Sequence, residues 1–463
     1  MVFNSYGYAL FLPVVLGVYW LLKHKQQNVL LLLASYVFYG AWDYRFLALM
    51  WTSTLTDYTV GRLLEATDDE KRRKRIFLVS LAVNLGILGF FKYFNFFVDS
   101  GAGLLQGLGF EAHAPTLRIL LPIGISFYTF HGISYTFDVY RREIRASRSL
   151  LDFALFVAYF PQLVAGPIGR AQVQLPQFEH PRTRPTADRV RSGLLLILIG
   201  LFKKIAIADM LAPFVDDAFR TAGHTSAIGL LVGIYAFALQ IYGDFSGYSD
   251  IARGSSRLFG IELLRNFEQP YLSRSITAFW RTWHISLSTW LRDYLYIPLG
   301  GNKRGEVRTY RNLMLTMLLG GLWHGAAWTF VVWGGLHGMY LSVHRRLGGR
   351  RDPLPSLDDA VDPRTTEAEY EVRAPHTAPP PPFRWRRDLL PVLGTFHLVC
   401  LAWIFFRADT FHQAITYLGG ILSLRGGPVR SDAALMLFAA AIVVATIDTL
   451  QRNRGVETPM LSW

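Results

Sequence analysis

The chain has 463 residues, 51% of them hydrophobic and 14% aromatic, and its formal net charge is +13. The apolar residues come in long blocks rather than at the spacing of a soluble fold, which marks a polytopic membrane protein. The single cysteine, Cys400, excludes an intramolecular disulfide and a cysteine metal site. The basic residues sit between apolar blocks, where they follow the positive-inside rule rather than form a nucleic-acid surface.

In chain order the apolar spans are residues 6–22, 28–42, 46–63, 76–97, 117–140, 190–208, 227–244, a broken segment 312–343, 388–406 and 433–450. The expected fold is an all-α polytopic membrane protein with about 10–11 spans plus re-entrant and interfacial helices. No secretory cleavage pattern follows the first block, so residues 6–22 are expected to be retained as a span. Residues 151–169 hold Pro161, Gly166 and Pro167 within an apolar run, the pattern of a re-entrant element. Non-helical backbone at that depth is tolerated only where protein or a cavity covers it.

Basic clusters at residues 23–25, 70–75, 141–148, 182–191, 303–311, 345–351 and 384–387 contrast with residues 100–115 and 408–416, which carry no Lys or Arg. Placing every basic loop in the cytosol puts the N-terminus outside and the C-terminus inside. The alternation closes only if 151–169 and 275–299 enter and leave on the cytosolic side, and if 312–343 goes in and comes back. Three regions follow: a membrane core at 1–349, a flexible charged and proline-rich cytosolic insertion at 350–386, and C-terminal helices of the same domain at 387–463.

Two stretches carry chemistry. Residues 320–340, GGLWHGAAWTFVVWGGLHGMY, place His324 and His337 in an otherwise apolar span. An ionisable side chain there is expensive and marks a functional site by default. On one unbroken helix the two histidines would point about 220° apart, so only one would line a given cavity. His324 is preferred, with Trp323 and Trp328 beside it. Residues 275–299, SITAFWRTWHISLSTWLRDYLYIPL, read as one short amphipathic helix with Phe279, Trp283, Leu287, Trp290, Leu291 and Tyr294 on its apolar face. His284 borders that face.

Neutral imidazole suits removal of a proton from a hydroxyl, and in a dry site burial disfavours the charged form. A second histidine or an indole N–H would orient the groups or bind a developing oxyanion. There is no GxSxG elbow and no suitably placed cysteine, so direct acyl transfer is preferred to an acyl-enzyme. Each residue also has a plain reading. Taken alone, His324 is equally a structural histidine, His284 an interfacial one, and Trp280, Trp283 and Trp290 an interface belt. His131, His337 and His397 read as structural. Asp57, Asp138, Asp244 and Asp250 read as caps or arginine partners near span ends. No paired His or Cys spacing suits a metal.

The run NFEQPYLSRSITAFWRTWHISLSTWLRDYLYIPLGGNKRG at 266–305, with GGLWHGAAWTFVVWGGLHG at 320–338, resembles the membrane-bound O-acyltransferase family, nearest its bacterial alginate O-acetylating branch. Pieces at 121–141, 160–170, 242–254 and 401–408 are similar too, so the resemblance covers nearly the whole chain. It implies a helical funnel in which His324, in the family's WHG motif, is the catalytic base and His284, in its WHISLS motif, the assisting partner. It implies that Trp280, Trp283, Trp323 and Tyr294 line the substrate passage. The donor would be an acyl-CoA or an acyl-carrier phosphopantetheine thioester. The acceptor would be an exported polysaccharide, or a serine of an extracytoplasmic partner protein. D-Alanyl transfer to teichoic acid and peptidoglycan O-acetylation are the rivals within the class, and a transporter or a membrane scaffold the rivals outside it. The insertion at 350–386 touches no motif and departs from the branch.

Overall fold

The computed structural model describes residues 1–111, 117, 119–164, 166–348 and 383–454. The charged, proline-rich part of the expected insertion, through residue 382, falls outside them. The described residues are helical throughout their regular structure and divide into two compact units. The first is Met1–Pro185 with Leu258–Leu263, and the second is Thr186–Arg257 with Leu264–Trp463. The division thus runs inside the stretch 1–349.

The first unit holds α1 (Tyr6–Tyr19), α2 (His24–Asp43), α3 (Leu47–Glu65), α4 (Glu70–Leu88), α5 (Phe94–Gly107), α6 (Ile125–Arg141), α7 (Leu150–Ala158), α8 (Phe160–Leu163) and α9 (Ala171–Glu179). Three of these helices open on side-chain caps. Ser5 accepts from Tyr8 N–H, Asp69 from Lys71 N–H and Ser149 from Asp152 N–H. A π-helical turn at Gly89–Tyr93 joins α4 to α5, so one helix runs on over residues 100–107, which had read as loop. α6 starts later than its span because Pro122 and Gly124, at φ +76°, precede it.

The proline-containing segment after α6 is almost wholly buried. Its irregular backbone bonds to side chains: Phe160 N–H to Ser35 Oγ at 3.0 Å, and Gly169 N–H to His131 Nε2 at 2.8 Å. His131 is therefore a structural clamp, as read. Asp57 is not a cap, and among the described residues it meets no arginine. It lies in the middle of α3, fully buried, accepting from Ser80 Oγ at 2.6 Å and Asn84 Nδ2 at 2.8 Å. A carboxylate at that depth needs donors, and α4 supplies them. α6 passes over it at Gly132, where a Cβ would strike Asp57 Oδ2.

The second unit holds α10 (Ala187–Phe202), α11 (Met210–Arg220), α12 (Ala227–Leu258), α13 (Ile276–Thr282), α14 (Ile285–Leu291), α15 (Glu306–His324), α16 (Trp328–Arg346), α17 (Trp385–Arg407), α18 (Phe411–Leu422) and α19 (Ser431–Arg454). Asp244 and Asp250 pair with lysines, not arginines: Lys204–Asp244 at 2.7 Å and Lys203–Asp250 at 2.8 Å. Both lysines sit in the π-helical turn Lys203–Asp209 that links α10 to α11. Tyr242 of α12 donates to both oxygens of Asp448 on α19 at 3.0 and 3.2 Å. His397 bonds to Tyr235 and to its own helix and takes no part in the site below.

Four described helical segments are long and apolar enough to cross a bilayer: Glu70–Gly107, Ala227–Leu258, Arg386–Arg407 and Ser431–Arg452. On α19, Leu435, Phe438 and Ile442 are exposed at three- and four-residue spacing, a face that suits hydrocarbon rather than water.

Candidate active site

The broken segment forms a helical hairpin. α15 ends at His324, Gly325 and Ala327 are extended, and α16 begins at Trp328. Glycines make the hairpin tight. A Cβ on Gly321 would stand 3.2 Å from Gly334 Cα, and one on Gly325 would overlap the Phe330 ring. Small residues of this kind allow two apolar helices to approach closely. The break also alters the geometry expected of the two histidines. They are not on one continuous helix. The Trp333 ring lies 5.1 Å from the His324 ring and 4.9 Å from the His337 ring, so both flank the same indole.

The stretch 275–299 is not one helix. Ser275 caps α13 by accepting from Ala278 N–H, and α13 stops at Thr282. Trp283 is extended and His284 takes φ +44°, in the left-handed region, before α14 begins. A residue with a Cβ held there costs about 1–3 kcal/mol, and such residues gather at functional sites. Asn266 holds the turn in place. Its backbone carbonyl accepts from Ile285 N–H at 2.9 Å, and its Oδ1 accepts from Ser286 Oγ at 2.6 Å. Asn266 Nδ2 donates to Ser249 Oγ at 3.1 Å. Residue spacing gave no sign of Asn266, because its work is done through a distant turn.

The kink delivers His284 to His324. Their ring centroids are 6.2 Å apart. At that separation the two rings can flank a single small group, the arrangement that paired acid–base residues adopt. The two histidines are not equivalent. His284 is 1% exposed, packed against Phe245 at 4.6 Å and Trp323 at 5.9 Å, and neither of its ring nitrogens has a hydrogen-bond partner among the described residues. His324 is only partly buried, walled by Trp323, Trp333 and Phe406.

The other predicted residues separate. Trp323 packs beside both histidines, 5.9 Å from the His284 ring and 4.9 Å from the His324 ring. Trp283 packs on Phe267 at 5.0 Å and on Trp403 at 5.1 Å, behind His284. Trp280 donates from Nε1 to His337 Nδ1 at 3.2 Å, which places the proton of neutral His337 on Nε2. Tyr294 packs on Trp290 with the rings tilted at 5.2 Å, more than a helical turn past His284. Trp333, Phe406 and Phe245 complete the cage and were not singled out, since an aromatic residue on an apolar helix ordinarily reads as core.

Beside the pair a cavity of about 500 Å³ runs between α12, the start of α16 and the end of α17. Phe330 and Phe406 line it, and Phe406 also touches His324 at 5.3 Å. Phe406 is thus common to the cavity and to the wall of His324, while neither His324 nor His284 lines the cavity itself. Among the described residues no group of three or more His, Cys, Asp or Glu side chains is placed to hold a metal ion.

Fold and site define an all-helical membrane protein with a histidine pair, one member buried and the other partly so, in an aromatic cage. Residues 32–353 match the membrane-bound O-acyltransferase family, and the chain belongs to that family. It is 45% identical to a probable alginate O-acetylase AlgI of Pseudomonas putida over 91% of this chain and 80% of that protein. A probable alginate O-acetylase AlgI of Azotobacter vinelandii is likewise 45% identical, over 89% and 76%. A peptidoglycan O-acetyltransferase of Helicobacter pylori is 37% identical over 90% and 78%. The protein is a membrane O-acetyltransferase.

Proposed function

We propose that the enzyme moves an acetyl group from a cytosolic thioester, acetyl-CoA or an acyl-carrier phosphopantetheine, across the inner membrane to a hydroxyl acceptor, and that it serves O-acetylation of an exported polysaccharide such as alginate. The acceptor hydroxyl belongs to the polymer or to an extracytoplasmic partner protein that passes the acetyl on. The N-terminus lies outside and the C-terminus in the cytosol. The observation that carries this reading is the delivery of His284, through a strained turn, to within 6.2 Å of His324 in an aromatic cage.

His324 takes the proton of the acceptor hydroxyl. The oxygen attacks the thioester carbonyl, the carbon–oxygen bond forms, and the carbon–sulfur bond breaks. The leaving thiolate recovers the proton from the imidazolium. His284, as an N–H donor, steadies the oxyanion that develops in between. The aromatic walls exclude water, so the thioester is not hydrolysed. Trp280, Trp283, Trp323 and Tyr294 are proposed to line the passage that the substrates follow. The basic clusters at 303–311 and 345–351 face the cytosol and favour the anionic phosphates of the donor.

The test is His324→Ala. The variant inserts and folds as the parent does, and acetyl on the exported polymer disappears. Retained acetylation would overturn the assignment. The likeness to the Helicobacter pylori enzyme supports peptidoglycan as the second acceptor. Mass spectrometry of the surface polymer and of the cell wall from a knockout separates the two.

A further inference from the structure

The rings that wall His324 differ in what stands behind them. Trp323 is backed by His284, at 5.9 Å. Trp333 is backed by Trp403, stacked on it at 5.7 Å, and by His337 at 4.9 Å. Behind Phe406 lies the cavity of about 500 Å³, and of these three rings Phe406 alone is in its lining among the described residues. The ring is therefore a partition: it meets His324 at 5.3 Å and also borders the cavity. It is held still. Phe406 meets Trp403 at 5.0 Å, Trp333 at 5.2 Å and Phe330 at 5.0 Å, each edge to face. Phe330 in turn sits against Gly325, where a Cβ would overlap its ring. The glycine that follows His324 thus admits the ring that braces Phe406.

An acyl group that reacts beside His324 has its carbonyl near the imidazole and its tail against these rings. Acetyl ends in one methyl. Each added methylene has to displace a ring, and Trp323 and Trp333 have packed side chains behind them. Interiors packed in this way do not take up extra volume without moving rotamers or backbone. One methylene too many in a closed apolar pocket is rejected by about 10–200-fold. The direction that offers room is through Phe406, whose far side opens on an apolar lining of Phe237, Ile241 and Phe330. A cavity of that volume is in the range that holds a small-molecule ligand.

We propose that Phe406 is a specificity-determining residue that selects acetyl over longer acyl groups, by closing the cage of His324 off from the neighbouring cavity. This rests on the acyl-transfer reading above. The chemistry does not change with the tail. The bond between the acceptor oxygen and the acyl carbon forms, the carbon–sulfur bond breaks, and the hydroxyl proton passes by way of His324 to the leaving thiolate. Only the room for the alkyl tail differs.

The experiment uses permeabilised membranes of a knockout that carries the full-length chain, so that the cell's own acceptors are present. Equimolar acetyl-CoA and butyryl-CoA, told apart by two radiolabels, compete in one tube, and the same pair is offered on an acyl-carrier protein. The ratio of the two His324-dependent esters equals the ratio of their kcat/KM values and does not depend on how much enzyme has folded. The unaltered enzyme should favour acetyl by about a hundredfold or more, on the scale set by two surplus methylenes. Phe406→Ala should bring that preference below about tenfold, and Phe406→Leu, the milder truncation, should fall between. Ile241→Ala widens the cavity behind an intact partition and should keep the parental preference. An unaltered enzyme that takes butyryl as readily as acetyl would overturn the proposal, as would a preference that neither Phe406 variant reduces or that Ile241→Ala reduces as much. Absence of any His324-dependent ester in the unaltered enzyme, from either kind of donor, would sink the underlying reading and the proposal with it.

Discussion

Gly334→Ala tests whether the hairpin sets the position of the catalytic pair. A Cβ at 334 would overlap the Met317 carbonyl oxygen and stand 3.0 Å from its carbon and 3.2 Å from Leu318 Cα. Ordinary contact begins at 3.4 Å, and these are backbone atoms that no rotamer change can move. α15 and α16 must therefore part by on the order of 1 Å, at a cost of about 1–3 kcal/mol in packing. His324 ends α15, while Trp333, which walls it, precedes Gly334 on α16. Parting the helices shifts one against the other, and a misplacement of that size costs about 10²-fold in rate. The neighbouring glycine provides the control. At Gly335 a Cβ would meet only Leu318 Cδ2, at 3.5 Å, so Gly335→Ala should be nearly silent. The assay is O-acetyl content of the exported polymer, normalised to enzyme in the membrane, in a knockout carrying each variant. Parental acetylation by Gly334→Ala, or equal losses in the two variants, would refute the reasoning.

Three further perturbations address other parts of the molecule. Asn266→Ala removes the acceptor of Ser286 Oγ and should lower acetylation by about tenfold or more with little change in membrane level, while Asn266→Asp, which keeps the acceptor, should restore part of it. Arg274→Ala removes the ion-pair partner, at 2.6 Å, of the Asp388 carboxylate, whose side chain is 1% exposed and which keeps the Arg384 N–H at 2.7 Å; a loss of about 1–3 kcal/mol should appear as a lower thermal midpoint in detergent, and Asp388→Asn in the same chain should recover much of it. Gly132→Ala should destabilise the first unit by driving a methyl into Asp57, and much less so in an Asp57→Ala background, a non-additivity that thermal unfolding of the single and double variants would measure.

Local signals lay open in the sequence. The apolar blocks and the glycine-marked break in 312–343 depend on neighbours within a few residues. The motif resemblance likewise points to His324 and His284, whose rings the fold brings to 6.2 Å. What distant segments decide was hidden. Helical periodicity across 275–299 was real as a pattern, but the left-handed turn at His284 is imposed by Asn266 and overrides it. Asp57 looked like an ordinary span-end carboxylate, because its donors come from another helix 23 and 27 positions along the chain. Sequence records which groups are present and their local conformational preferences. Which charges cancel, which imidazoles meet and which backbone is strained depend on pair distances that exist only once the helices have packed.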